Sequence, residues 1–184
     1  VAVGYDAGAA VTTGVHNTLI GGLAGDSLTG GSYNVAIGKG ALSTEDGHSY
    51  NVAIGLNALT SQNAGADAYN TAVGASAGIN VTTGVQNTLI GGLAGDALTT
   101  GNYNVAVGID ALSAEDTHSY NVAIGGYALR VQNAGADAYN TAVGYNAGAA
   151  VTTGINNTII GGLTGAALTT SDNNVAIGTS ALSS

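Results

Sequence analysis

One five-residue motif governs the whole chain: an asparagine, a Val or Thr, an Ala or larger aliphatic residue, an Ile or Val, and a glycine. Its asparagines are Asn17, Asn34, Asn51, Asn70, Asn87, Asn104, Asn121, Asn140, Asn157 and Asn174. They are spaced by 17, lengthened to 19 at the third and seventh steps. The glycines that close the motif are Gly21, Gly38, Gly55, Gly74, Gly91, Gly108, Gly125, Gly144, Gly161 and Gly178. Four units make a super-repeat, so that 11–80 aligns with 81–150 without a gap and 151–184 begins a third copy. The opening "VAVGYDAG" aligns with "TAVGASAG" at 71–78 and supplies a truncated eleventh unit. An alanine follows each motif glycine at the third place, from Ala7 to Ala181, and only Thr164 departs from this rule.

A unit this short cannot enclose a core by itself, so neighbouring units must stack and bury one another. Recurring Gly and β-branched residues disfavour helix, and no apolar stripe of helical period survives the polar stretches. The unit reads as a short β-branched strand, a corner at the glycine, a second short Ala-Leu or Ala-Gly strand and a polar return. Stacked at about 4.8 Å per coil, eleven units give an all-β parallel solenoid, or β-roll, about 50 Å long. The chain 1–184 is then a single solenoid segment. A residue without a Cβ suits the corner, where the backbone is crowded. The repeated asparagines are expected to stack as an amide ladder along the rod.

Composition agrees with a thin, regular core. The 184 residues include 31 Gly and no Pro, Cys, Met, Trp or Phe, and only 7% are charged. Without cysteine there is neither a disulfide nor a thiolate metal site, and the redox compartment stays undecided. A formal charge of −9, with Lys39 and Arg130 as the only bases, is the wrong sign for nucleic acid or for anionic lipid. No charged-then-apolar leader and no membrane-spanning apolar run occurs. The chain begins and stops within repeats and is read as part of a longer protein. In Val35-Ala36-Ile37 both faces of the strand are apolar, the pattern of a strand covered on two sides. One face can lie inside the coil. The other calls for a partner, most simply further copies of the chain around a common axis.

The stretches "YNVAIGKGAL", "YNVAIGLNAL", "YNTAVGASAG", "YNVAVGIDAL", "YNVAIGGYAL", "YNTAVGYNAG" and "NNVAIGTSAL" cover the length of the chain. They resemble the head repeats of trimeric autotransporter adhesins and the "NTAVGxxAL" repeats of phage tail fibres and bacterial surface proteins. The resemblance implies a left-handed parallel β-roll wound as a homotrimer. It also implies a stalk or adhesive head outside the cell, on a cell surface or virion. The coil here is longer than in those adhesin heads.

Chemistry-bearing residues are few. "GGLAGDSLT" at 21–29 and "GGLAGDALT" at 91–99 resemble a calcium nonapeptide, but they recur only once in four coils and the third copy carries Ala166 in place of the Asp. They are read as coil corners. Glu45, Asp46 and His48, and their equivalents Glu115, Asp116 and His118, could hold a divalent ion; the plainer reading is a solvated return. No carboxylate pair breaks the repeat as a glycosidase site would, and no nucleophile elbow is present. Six tyrosines precede the motif asparagine, and they are expected either to pack rung on rung or to form a strip that stacks on sugars. "VTTG" occurs once per four coils, which argues against an ice-binding threonine array.

The sequence thus points to a structural extracellular fibre or adhesin segment that is not an enzyme and needs no cofactor. Its partners are copies of itself and a cell-surface glycan or protein receptor. The alternatives are a self-assembling extracellular filament and a carbohydrate-active, tailspike-like solenoid enzyme.

Overall fold

The computed structural model describes residues 1–183. Eleven parallel strands form one sheet in strict chain order, from β1 (Ala2–Val3) and β2 (Thr18–Ile20) to β11 (Val175–Ile177). Each unit contributes one strand, and each strand pairs with those of the units before and after it. Equivalent residues face one another: Val35, Ala36 and Ile37 of β3 (Val35–Ile37) pair with Val52, Ala53 and Ile54 of β4 (Val52–Ile54). No helix occurs among the described residues. The expected β-solenoid is the fold, and its stacking bonds run along the rod.

The expected second strand is not formed. After the corner the backbone curls through consecutive turns, as at residues 22–27 and 56–61. The cause lies in the backbone torsions. The second and fourth positions after the motif glycine take left-handed φ, such as Asn57 at 56° and Leu59 at 49°, and a strand cannot accommodate that alternation. A third left-handed residue precedes the motif asparagine, Tyr50 at 65° for example. Each such non-glycine residue costs on the order of 1–2 kcal/mol. Coil-to-coil hydrogen bonds hold them there: the Leu42 N–H donates to Ala58 O at 3.0 Å and that of Leu59 to Ala77 O at 3.1 Å.

The motif glycine is required by contact as well as by torsion. Gly74 has φ of 143°, and a Cβ there would lie 2.5 Å from the carbonyl carbon of Gly91 in the next coil. The same backbone-on-backbone approach recurs from Gly4 to Gly161.

Inside the coil, two positions trade volume. Where the middle strand residue is large (Leu19, Leu89, Ile159), the fourth residue after the motif glycine is Gly25, Gly95 or Gly165, and the large side chain fills the space above it. Where the strand offers Ala36, Ala53, Ala106 or Ala123, that residue is Leu42, Leu59, Leu112 or Leu129. In the coils that combine Ala72 with Gly78 and Ala142 with Gly148, side chains from the coils on either side close the gap. A Cβ on Gly78 would meet Leu89 Cδ1 at 2.6 Å and Leu59 Cδ2 at 3.0 Å. All these side chains belong to one continuous buried cluster.

Replacing Gly74 by Ala should lower stability in a urea melt by more than about 3 kcal/mol, because strain and a backbone clash act together. Gly65 has φ of 72° with nothing within 4 Å of the place a Cβ would occupy, so Gly65→Ala should cost only about 1–2 kcal/mol. Equal losses for the two would contradict the close-stacking account.

Candidate functional site

In the coils of 17 residues the motif asparagine ties the coil shut. Asn17 Oδ1 accepts the backbone N–H of Asn34 at 2.9 Å, and its Nδ2 donates to the carbonyl of Gly31 in its own return at 2.7 Å. Asn87 repeats the pattern with Asn104 N–H at 2.9 Å and Gly101 O at 2.8 Å. The expected amide-to-amide ladder is therefore replaced by amide-to-backbone bonds. The side chain must reach across the coil to the return, which turns its N–H₂ away from the next asparagine. Asn174 donating to Asn157 Oδ1 at 2.9 Å is an exception.

The eleventh position after each asparagine also points inward. From the first coil onward it reads Val11, Leu28, Glu45, Gln62, Val81, Leu98, Glu115, Gln132, Val151 and Leu168. The super-repeat thus places two polar side chains in the core for every two apolar ones. Glu45, Gln62, Glu115 and Gln132 are fully buried. In the longer coils the asparagine Nδ2 no longer donates into its own return and reaches only Ser49 O or Ser119 O, at 3.4 and 3.5 Å, while glutamine bridges the asparagines of successive coils. Gln132 Nε2 donates to Asn121 Oδ1 at 2.9 Å, and its Oε1 accepts from Asn140 Nδ2 at 2.9 Å. Gln62 does the same between Asn51 and Asn70, at 3.2 and 2.9 Å.

The glutamates correct the reading of "EDGH" and "EDTH" as solvated returns. Glu45 Oε1 accepts the His48 backbone N–H at 3.1 Å and lies 2.6 Å from its Nδ1; in Glu115 and His118 the distances are 3.3 and 2.7 Å. Glu115 Oε2 takes a further hydrogen bond from Gln132 Nε2 at 3.1 Å, whereas Glu45 Oε2 has no partner. Asp46 and Asp116 remain about half exposed. Burial pushes the Glu45 carboxyl above its ordinary range, an effect opposed by the hydrogen bonds from His48. One ligand atom from each of Glu45, Asp46 and His48 lies within 4.8 Å of the others, and the second copy repeats this. Yet the imidazole nitrogen and the buried oxygen are already bonded to each other, so the arrangement is that of a carboxylate–imidazole pair closing a turn.

The other motifs serve the coil. Gly21 of the nonapeptide-like stretch is a corner, and Gly25 makes room for Leu19. Asp26 and Asp96 are partly buried, each with Oδ1 unpartnered; desolvation, and secondarily the charge of Asp110, raise the Asp96 pKa. Thr12 of the first "VTTG" donates from Oγ1 to Thr29 O at 3.2 Å in a return.

The tyrosines stack on one another. Tyr33, Tyr50 and Tyr69 have ring centroids 5.3 and 4.9 Å apart, with planes within 3° of parallel. Tyr103, Tyr120 and Tyr139 repeat these spacings within 4°. Neighbouring rings cover each other's faces, which removes the broad ring surface that sugar stacking uses.

On the outside of the sheet, two columns of side chains run the length of the rod. The residue after each motif asparagine is always Thr or Val, and the one two places further is always Ile or Val. They are only half covered, Ile20, Ile90, Ile124 and Ile160 being 37–38% exposed. No helix among the described residues is long and apolar enough to cross a membrane. Comparison of the chain with protein-family models, curated proteins and solved structures returns no match.

The raised pKa of Glu45 fixes the sign of its pH dependence. The folded state binds the proton more tightly than the unfolded state, so stability declines as pH rises from the ordinary carboxylate value through the folded pKa. In thermal melts across pH, Glu45→Gln should therefore gain on the wild type as pH rises. A gap that is constant with pH, or that shrinks, would contradict the assignment.

Proposed function

We propose that this chain is a structural segment of an extracellular fibre or adhesin, in which several copies, most simply three, pack around a common axis through their outer sheet faces. The observation that carries this reading is the pair of outward columns. They hold only Thr, Val and Ile from Thr18 to Ile177, while all eleven acidic residues lie elsewhere. Chains that each carry a charge of −9 can approach closely along such a strip without opposing carboxylates. A second stack with the same rung spacing is also the partner that stays in register over the full length.

The role is mechanical. Hydrogen bonds along the axis resist extension, and the repeated returns offer the same weak contact many times to a surface glycan or protein, so that avidity exceeds single-site affinity. A catalytic role has less support. The buried carboxylates occur twice in matching returns, each engaged by its own histidine, instead of forming one unique pair across a cleft.

Sedimentation equilibrium of the folded chain tests the assembly: a trimer has three times the 17.6 kDa chain mass. Placing lysine in the outer column, Val52→Lys with Val122→Lys, should shift the population to monomer by at least about tenfold in dissociation constant, because two charges would be buried unpaired in each copy. A wild-type chain that sediments at its own mass at high concentration would rule out assembly through this face.

A further inference from the structure

We propose that the two tyrosine stacks are oxidative cross-linking sites, at which a one-electron oxidant joins neighbouring rungs of the same chain through dityrosine bonds. This inference rests on the geometry of the stacks and is independent of the fibre reading.

Three observations carry it. The first is proximity. Within Tyr33, Tyr50 and Tyr69, and within Tyr103, Tyr120 and Tyr139, every ring has a parallel neighbour with centroids 4.9–5.3 Å away. Such rings are close enough for an electron vacancy to pass between them and for two radicals to meet without diffusion. The second is access. These six residues are 41–53% exposed, so a soluble oxidant reaches the rings, and coupling at the carbons ortho to the hydroxyl requires the parallel rings to turn toward one another. The third is the lack of competitors. The sequence has no Cys, Met or Trp, the side chains that would otherwise be oxidised first. Oxidising equivalents that reach this rod therefore collect on tyrosine.

Each of two phenols gives one electron to the oxidant and its hydroxyl proton to solvent, leaving neutral phenoxyl radicals with spin density on the ortho carbons. One carbon–carbon bond forms between an ortho carbon of each ring. The hydrogens on those carbons then move to the two oxygens, restoring both phenols. Each link removes two hydrogen atoms from the chain in total. With hydrogen peroxide as the terminal oxidant, acting through a peroxidase, one peroxide takes up the two electrons and two protons and leaves as two waters.

A bond between Tyr33 and Tyr50 closes a loop of one short coil, and one between Tyr50 and Tyr69 a loop of one long coil. In a chain without disulfides these would be covalent staples between adjacent coils. Both loops span the coils that hold the buried Glu and Gln, where the core is least apolar. The sixth coil interrupts the stack with Gln86, so coupling is confined to two triplets. The edge-on pair Tyr127 and Tyr145, 5.9 Å apart with planes at 86°, and the separate Tyr5 are built-in comparisons.

The test is oxidation of the folded chain with horseradish peroxidase and hydrogen peroxide, followed by intact mass, peptide mapping and dityrosine fluorescence. Expected are chains of unchanged length lighter by two hydrogens per link, with links mapping to 33–50, 50–69, 103–120 or 120–139, and a thermal midpoint raised by several degrees. Tyr50→Phe keeps a ring in the stack but removes its phenol, so it should abolish links in the first triplet and leave the second unchanged. Should that variant fold poorly, oxidation of the wild type in concentrated urea serves instead, and the preference for rung neighbours should then disappear. Links mainly between chains, hydroxylated tyrosines without links, or the same link pattern in urea would each overturn the proposal.

Discussion

The approach of one glycine corner to the next is the contact on which the rest of the structure depends. With a carbonyl of the following coil where a Cβ would be, adjacent backbones sit close enough for every strand and turn to hydrogen-bond along the axis. Those axial bonds permit the left-handed residues of each coil, including leucines and tyrosines that seldom adopt that conformation. The turns in their turn bring the return back beneath the strand, within reach of the asparagine. Removing the glycine therefore does more than strain a corner, since it separates coils that are stable only in contact.

The interior shows how a chain with no Phe, Met or Trp fills a core. Volume is exchanged between the middle of the strand and the fourth residue after the corner, and leucine or isoleucine side chains of neighbouring coils extend over the coils that lack a large residue at both positions, Ala72 with Gly78 and Ala142 with Gly148. The polar pairs follow the same logic of satisfaction. A glutamine in each longer coil links the asparagines of successive coils, donating to one amide oxygen and accepting from the next amide N–H₂, and a buried glutamate is held by the histidine that follows it in the same return. The four-coil super-repeat is the period of this cross-section. Its layers of valine, leucine, glutamate and glutamine differ in volume and hydrogen bonding.

Outside, the rod is differentiated. The sheet face is an uncharged strip of Thr, Val and Ile, the edge before the asparagine carries stacked tyrosines, and the returns carry most of the exposed acids. Assembly, oxidative stapling and display of a binding loop would therefore use different sides of the same coil.

Much of this was legible in the sequence. The spacing of Asn and Gly set coil length, parallel stacking and strand register, because stacked identical units leave one way to align a motif that recurs once per coil. The pairing of tyrosine rings followed from the same alignment. The core position of Glu45 and Glu115 was also written there, had the eleventh position after each asparagine been read as a column; charged residues in a polar return suggest a solvated loop instead. What the sequence could not decide was how the backbone turns between the strand and the return. The expected second strand became a run of turns because left-handed torsions at Leu42 or Leu59 are costly in isolation and are set only by hydrogen bonds from the neighbouring coils. The direction of the asparagine amide, toward the return and not toward its own kind, was likewise decided by where the closed coil placed a carbonyl, a distance that exists only in three dimensions.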